Sequence, residues 1–214
     1  MRISDLSRRS GVPVGTIKYY LRERVLPPGT PTARNQAEYG DEHLRRLRLI
    51  RALTGLGRMD LASVRDLLPL IEHDRVPLRD LYEAANRAVL PERAPVADAG
   101  SLERIRAGVD AFIDRQGWRV ASDAPGRDTF VQVVAALQSL GCQLDIDFFA
   151  PFAAAAQQVV LRELDLLPAD GPVDRDAAAA RTVLFEVALG ALRRLAQEHH
   201  LALRQAGHRD GPGS

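Results

Sequence analysis

The stretch that decides the fold reads Gly11-Val12-Pro13-Val14-Gly15-Thr16-Ile17-Lys18-Tyr19-Tyr20. Pro13 suits a first helical position, where its missing N–H costs nothing. Behind it Val14, Ile17, Tyr20 and Leu21 recur at helical spacing. Gly11 stands where a preceding helix would use a left-handed residue to end. That preceding helix has apolar positions Ile3 and Leu6, with Ser4 placed to cap it and Val12 following the turn. Two short helices joined by a tight glycine turn predict a helix-turn-helix.

Downstream, Pro27-Pro28-Gly29-Thr30-Pro31 cannot be helical. It leads into Thr32-Ala33-Arg34-Asn35-Gln36-Ala37-Glu38-Tyr39, a polar, non-periodic stretch that reads as a small hairpin or loop. A third helix opens at Gly40-Asp41-Glu42, with acids where the helix dipole favours them. Its buried stripe is Leu44, Leu47, Ile50 and Leu53, its charged face Arg45, Arg46, Arg48 and Arg51, and Gly55 and Gly57 end it. Asp60 caps a fourth helix with Leu61, Val64, Leu67, Leu68 and Ile71 on one face.

Charge divides the chain in the same place. Residues 1–58 carry 12 Lys and Arg against 5 Asp and Glu, a net of +7, whereas 59–214 carry 17 against 23, a net of −6. The whole chain is +1. A basic head on an acidic body is the electrostatic pattern of a nucleic-acid-binding module joined to a domain that does not bind it. Lys18 is the only lysine of the 214 residues; the remaining basic side chains are arginine.

The rest of the chain reads helical. A helix of about 78–90 follows Pro77, and 91–100, with two prolines and a glycine, reads as a linker. Beyond it come helices marked by Leu102, Ile105, Val109 and Phe112, then by Phe130, Val133, Val134 and Leu137, then by Phe149, Phe152, Ala156, Val160 and Leu164. A last one runs from about 174 to 203 and is apolar on most sides of its middle, which predicts burial between helices or at a subunit interface. The expected organisation is therefore a basic helix-turn-helix domain over 1–75, a connecting helix and linker over 76–100, a helical domain over 101–206, to which the resemblance described next gives the effector-binding and dimerisation roles, and a disordered tail over 207–214. The fold class is mainly all-α with one small β wing.

The ordered run Ile3-Ser4-Asp5-Leu6-Ser7, Gly11 to Tyr20, Leu26-Pro27-Pro28, Tyr39-Gly40-Asp41-Glu42, Leu47-Arg48-Leu49-Ile50-Arg51 and Leu61-Ala62-Ser63-Val64-Arg65-Asp66-Leu67-Leu68 resembles the N-terminal winged helix-turn-helix of the MerR family. The resemblance covers about residues 1–70. It implies a transcription regulator that binds double-stranded DNA at an inverted-repeat promoter site as a homodimer, acting on RNA polymerase indirectly through the shape of the promoter. The second helix would enter the major groove and the wing would touch flanking backbone. Carried over by position, Thr16, Lys18, Tyr19 and Arg22 are the helix contacts, Arg34 and Tyr39 belong to the wing, and Arg45 approaches phosphate from the third helix. Arg46 is a further phosphate candidate, and Tyr20 packs inward.

Four departures stand out. Lys18 replaces the usual arginine, which keeps the charge and gives up the planar fork that reads guanine. Arg24 stands where the family has glycine; if the chain needs a positive φ there, arginine is strained. The wing retains only Tyr39 of the family's Gly-Tyr-Arg-x-Tyr signature. The family's long dimerisation helix is not evident after the DNA-binding domain, so residues 183–195 are the candidate dimer interface.

Other chemistries leave little trace. The single cysteine, Cys142, forbids an intrachain disulfide and a thiol-rich metal site, and reads as a small buried hydrophobe. No nucleophile–base set, phosphate loop or zinc motif is present. No enzyme activity, catalytic residue, metal ligand or cofactor is expected. With no apolar run of membrane-spanning length and no signal-peptide pattern, a cytoplasmic location is expected. The C-terminal aromatics Phe112, Trp118, Phe130, Phe149 and Phe152 are the candidates to line a site for a small apolar or aromatic effector. The alternative is an architectural DNA-binding protein that takes no ligand.

Overall fold

The computed structural model describes residues 1–33, 36–90 and 97–209, without the side chains of 33 and 206–209. The described chain is helical apart from one two-stranded antiparallel sheet. It falls into two compact units: Met1–Arg75 together with Ala179 onward, and Val76–Ala178.

In the first unit, α1 (Ile3–Ser10) and α2 (Val14–Arg22) form the helix-turn-helix. Gly11 is left-handed at φ 69° and its N–H closes α1 on the Ser7 carbonyl. The turn is tied further by the Ser7 hydroxyl, which donates to the Val12 carbonyl at 2.6 Å, and by the Ser10 hydroxyl, which accepts the Val12 N–H at 3.2 Å. The cap of α1 differs from expectation. Arg2, not Ser4, takes the N-cap position, and no side chain caps it.

Strands β1 (Thr30–Ala33) and β2 (Gln36–Glu38) make the wing, with Thr30 opposite Glu38 and Pro31 opposite Ala37. Gly29 enters it so closely that an added Cβ would stand 2.6 Å from the Glu38 carbonyl oxygen and 2.9 Å from the Tyr39 ring. α3 (Asp41–Arg51) follows. It is not ended by Gly55 and Gly57 directly. The chain continues as a π-helical segment, Ala52–Leu56, before Gly57. A Cβ on Gly57 would meet Val183 at 2.4 Å and the Leu53 carbonyl at 2.6 Å, so only glycine fits there. Asp60 caps α4 (Leu61–Glu72), accepting the Ser63 N–H at 2.7 Å. That backbone donor holds the Asp60 carboxyl below its usual range, so the cap works at neutral pH and fades as acid protonates it.

Leu6, Val12, Ile17, Leu26, Tyr39, Leu44 and Leu47 form one buried cluster that α1, α2, the wing and α3 share. α2 is thus fixed by its own apolar face, and its opposite face is left to solvent. At the end of α2, Arg24 adopts φ 58°. The strain anticipated at this position is present. Arg24→Gly is expected to stabilise the first unit by about 0.5–1 kcal/mol, the left-handed penalty less the extra chain entropy of glycine. A higher thermal midpoint checks it.

The second unit contains α5 (Leu78–Val89), α6 (Ala99–Arg115), α7 (Pro125–Ser139), a 3-10 turn (Ile146–Phe149) and α8 (Ala150–Leu164). α6 packs on α7 around Val109, Ile113 and Val131, and Arg106 pairs with Asp128 across them at 2.5 Å. α5, which the sequence assigns to a connection, packs on α7 within this unit. Cys142 is exposed rather than buried. Gly141, at φ 82°, turns the chain out of α7 and carries the cysteine to the surface.

The last helix, α9 (Arg175–Arg209), is 35 residues long and continues past residue 207, where the sequence predicts a tail; 210–214 lie outside the described residues. Its exposure is uneven along its length. Ala178, Ala179 and Val183 are buried, but Val187, Leu189, Leu192, Leu195, Leu201 and Leu203 are exposed. Among the described residues no helix is long and apolar enough to cross a membrane.

Candidate nucleic-acid interface and effector cavity

The outer face of α2 follows from which of its residues the core takes. Ile17 is buried completely, and Gly15, Lys18, Tyr19 and Arg22 lie on the exposed side, three or four residues apart. That spacing is one helix face. Tyr19 is 41% exposed although it is a large aromatic, and the Arg22 guanidinium lies over its ring at 5.8 Å from the centroid. Thr16 is half-buried beside this face, and Tyr20 packs inward against the core cluster. Lys18 and Arg22 have no acidic partner among the described residues. An exposed lysine, arginine and tyrosine on a rigid helix supply two positive charges and a hydroxyl donor, the groups that phosphates and base edges accept.

The wing and third helix divide the remaining candidates. Arg34 lies outside the described residues. Tyr39 is only 7% exposed and belongs to the core cluster, so its ring supports the wing from beneath instead of facing outward. Its position explains why: its backbone N–H donates to the Met1 carbonyl and its own carbonyl accepts from the Met1 amine, both at 2.8 Å. Arg45 is exposed on α3. Arg46 is not available to phosphate. It pairs with Glu72 on α4 and donates from Nε to the Val25 carbonyl at 2.9 Å.

Three positioning residues have no sequence signal of their own role. His43 is buried beneath the wing, accepts the Gly40 N–H at Nδ1 (3.1 Å), faces the Pro28 carbonyl through Nε2 (3.4 Å) and meets the Tyr39 ring edge-on at 5.2 Å. Arg51 donates to the Ser10 carbonyl at 3.1 Å, which satisfies the C-terminus of α1. Arg46 closes the chain after α2 as just described. A charge pattern shows that these residues are basic or titratable; only the packed chain shows which carbonyls they reach.

In the second unit a cavity of about 800 Å³ opens between α5, α6 and α7. Phe112, Trp118 and Phe130 line it, joined by Tyr82 from α5 and by Leu164 and Leu167. Phe149 and Phe152 do not. Phe149 stands edge-on behind Phe130 at 5.0 Å, and Phe152, 53% exposed, stacks beyond it. The Trp118 indole donates to Gln157 at 2.9 Å, which fixes the ring. No group of three or more His, Cys, Asp or Glu placed to hold a metal ion occurs among the described residues.

Comparison with known proteins agrees with this geometry. Residues 1–70 match the family model of the MerR HTH family regulatory protein. The chain is 27% identical over 104 residues to the mercuric resistance operon regulatory protein of Bacillus cereus, covering 49% of this chain and 78% of that one. It is 36% identical over 70 residues to the HTH-type transcriptional regulator ZntR homolog of Haemophilus influenzae, covering 33% of this chain and 51% of that one. Among solved structures, SCO5550 of Streptomyces coelicolor A3(2), itself a proposed transcriptional regulator, is 36% identical with a TM-score of 0.71 over 95% of this chain and 97% of its own. With the recognition helix, wing and third helix in the family's order, and with a relative this similar along almost its whole length, the chain belongs to the MerR family of DNA-binding transcriptional regulators.

Proposed function

We propose that this regulator binds an inverted-repeat promoter site as a homodimer and changes its output when a small apolar or aromatic molecule enters its second unit. The observation that carries the DNA reading is the exposed α2 face of Lys18, Tyr19 and Arg22, with Thr16 beside it and Arg45 on α3. Lys18 contacts phosphate in this reading, because an ammonium lacks the fork that pairs with guanine. Arg22, stacked on Tyr19, is the residue able to make a bidentate contact. Arg34 of the wing completes the set as a backbone contact.

The dimer reading rests on α9. Leu189, Leu192, Ala196 and Leu203 fall on one face at three-, four- and seven-residue steps, and Leu192 is 63% exposed. A long helix with such a seam is built to lie against another helix. Leu192→Asp is expected to turn a dimer into a monomer in sedimentation equilibrium and to weaken binding to a two-half-site operator far more than to a single half-site. Unchanged mass would place the interface elsewhere.

The effector reading rests on the aromatic cavity. Its size is within the range of small-molecule sites. An architectural protein would have no use for it, and shows no change in promoter binding or transcription with any small molecule.

A further inference from the structure

We infer that the cavity of the second unit takes a small aromatic molecule bearing one anionic group, a carboxylate or its equivalent. The inference rests on the effector reading above and adds the chemistry of the ligand. Its apolar wall is Phe112, Trp118, Phe130 and Tyr82. Its charged groups are unbalanced toward positive: Arg79, Arg119 and Arg127 line it, against Glu83 alone. Glu83 is paired with Arg87 at 3.3 Å, which offsets its charge. Arg79 and Arg119 have no acidic partner among the described residues.

Arg127, the third arginine of the wall, is already engaged. It pairs with Asp110 on α6 through one terminal nitrogen and donates to the Val120 carbonyl through the other at 3.1 Å. Its Nε–H is buried with no acceptor. A buried donor left unpaired costs stability and calls for an explanation. The free guanidinium groups that can receive an anionic oxygen from the cavity are therefore those of Arg79 and Arg119. A cationic ligand would instead meet two free arginines and one acid already engaged.

The chain has one tryptophan, Trp118, and it stands in the cavity wall, so its fluorescence reports occupancy of this site and no other. Three probes of equal shape separate the possibilities: naphthalene-2-acetate, its neutral amide, and naphthalene-2-ethylamine as the cation. The full chain is titrated with each. The acid is expected to change Trp118 emission saturably, with the amide about tenfold weaker and the amine weaker still, the difference one charge-assisted hydrogen bond makes. Arg119→Gln, an exposed position, is expected to lower affinity for the acid about tenfold and leave the amide unchanged. Arg79→Gln is expected to do the same to a smaller degree, and thermal melts of both variants establish that they fold.

Equal binding of all three, tighter binding of the amine, or no response of Trp118 to any of them overturns the inference. The effector reading fails separately. If the acid binds and neither promoter affinity nor transcription changes, the cavity and its charge preference stand and the regulatory role does not.

Discussion

Replacing Lys18 and Arg22 together by glutamine is expected to weaken binding to promoter DNA about 100-fold at fixed salt, while the thermal midpoint stays nearly unchanged. Each side chain is exposed and without an acidic partner among the described residues, so its removal leaves nothing unsatisfied within the protein. Surface changes of this kind move stability by no more than about 0.5 kcal/mol. Removing one charge-assisted hydrogen bond to DNA weakens binding about tenfold. The salt dependence carries the finer reading. If Lys18 binds phosphate, the single Lys18→Gln change lowers the slope of log affinity against log salt by about 1 and acts equally on all operator sequences. If Arg22 reads a base, Arg22→Gln relaxes discrimination at one operator position and barely alters the slope. Tyr19→Phe separates the hydroxyl from the ring that supports Arg22. Full-affinity binding by the double variant would mean that α2 does not face the groove through this side.

A second large effect concerns what holds that face in place. Leu47→Ala is expected to destabilise the first unit by about 2–5 kcal/mol. Leu47 is fully buried where α1, α2, the wing and α3 meet, and deleting its branch leaves a space the rigid cluster cannot close. For a unit of this size the melting midpoint falls by roughly 10–40 °C, and promoter binding at physiological temperature falls with it. Leu56→Ala is the matched comparison. Leu56 is 66% exposed in the π-helical segment, and its loss is expected to stay within about 0.5 kcal/mol. Calorimetry of both variants measures the contrast directly; similar losses would remove the basis for placing the core at Leu47.

These two leucines also mark how far sequence pattern reaches. Leu47 is legible as core because Leu44, Leu47 and Ile50 repeat at helical spacing. Leu56 has no such company; the glycine after it marks a helix end, and the structure ends the π-helical segment there. The candidate DNA face is legible in the same way. Once Ile17 and Tyr20 are assigned inward, the geometry of a helix puts Lys18, Tyr19 and Arg22 outward. Tyr39 and Arg46 are not legible, because their surroundings come from residues distant in the chain: Met1 and His43 around the tyrosine, Val25 and Glu72 around the arginine.

The last helix shows the same boundary from the other side. Its apolar middle predicts burial or an interface, and periodicity alone does not choose between them. The structure leaves Leu192 and Leu195 exposed beyond Val183, which makes a second copy of the chain the partner to test. Likewise Phe112, Trp118 and Phe130 are aromatic residues of a helical region by sequence, yet only the packing of α5, α6 and α7 separates them from Phe149 and Phe152 as cavity wall.

The sequence by itself determined the helix-turn-helix, the basic head and the family, because each depends on neighbours a few residues apart. Tertiary structure alone decided which arginines are free and which hold carbonyls, which aromatics enclose a cavity, and that Arg127 keeps a buried donor unpaired. Those properties are set by which surfaces meet, and hydrophobic burial selects the partners without regard to their distance along the chain.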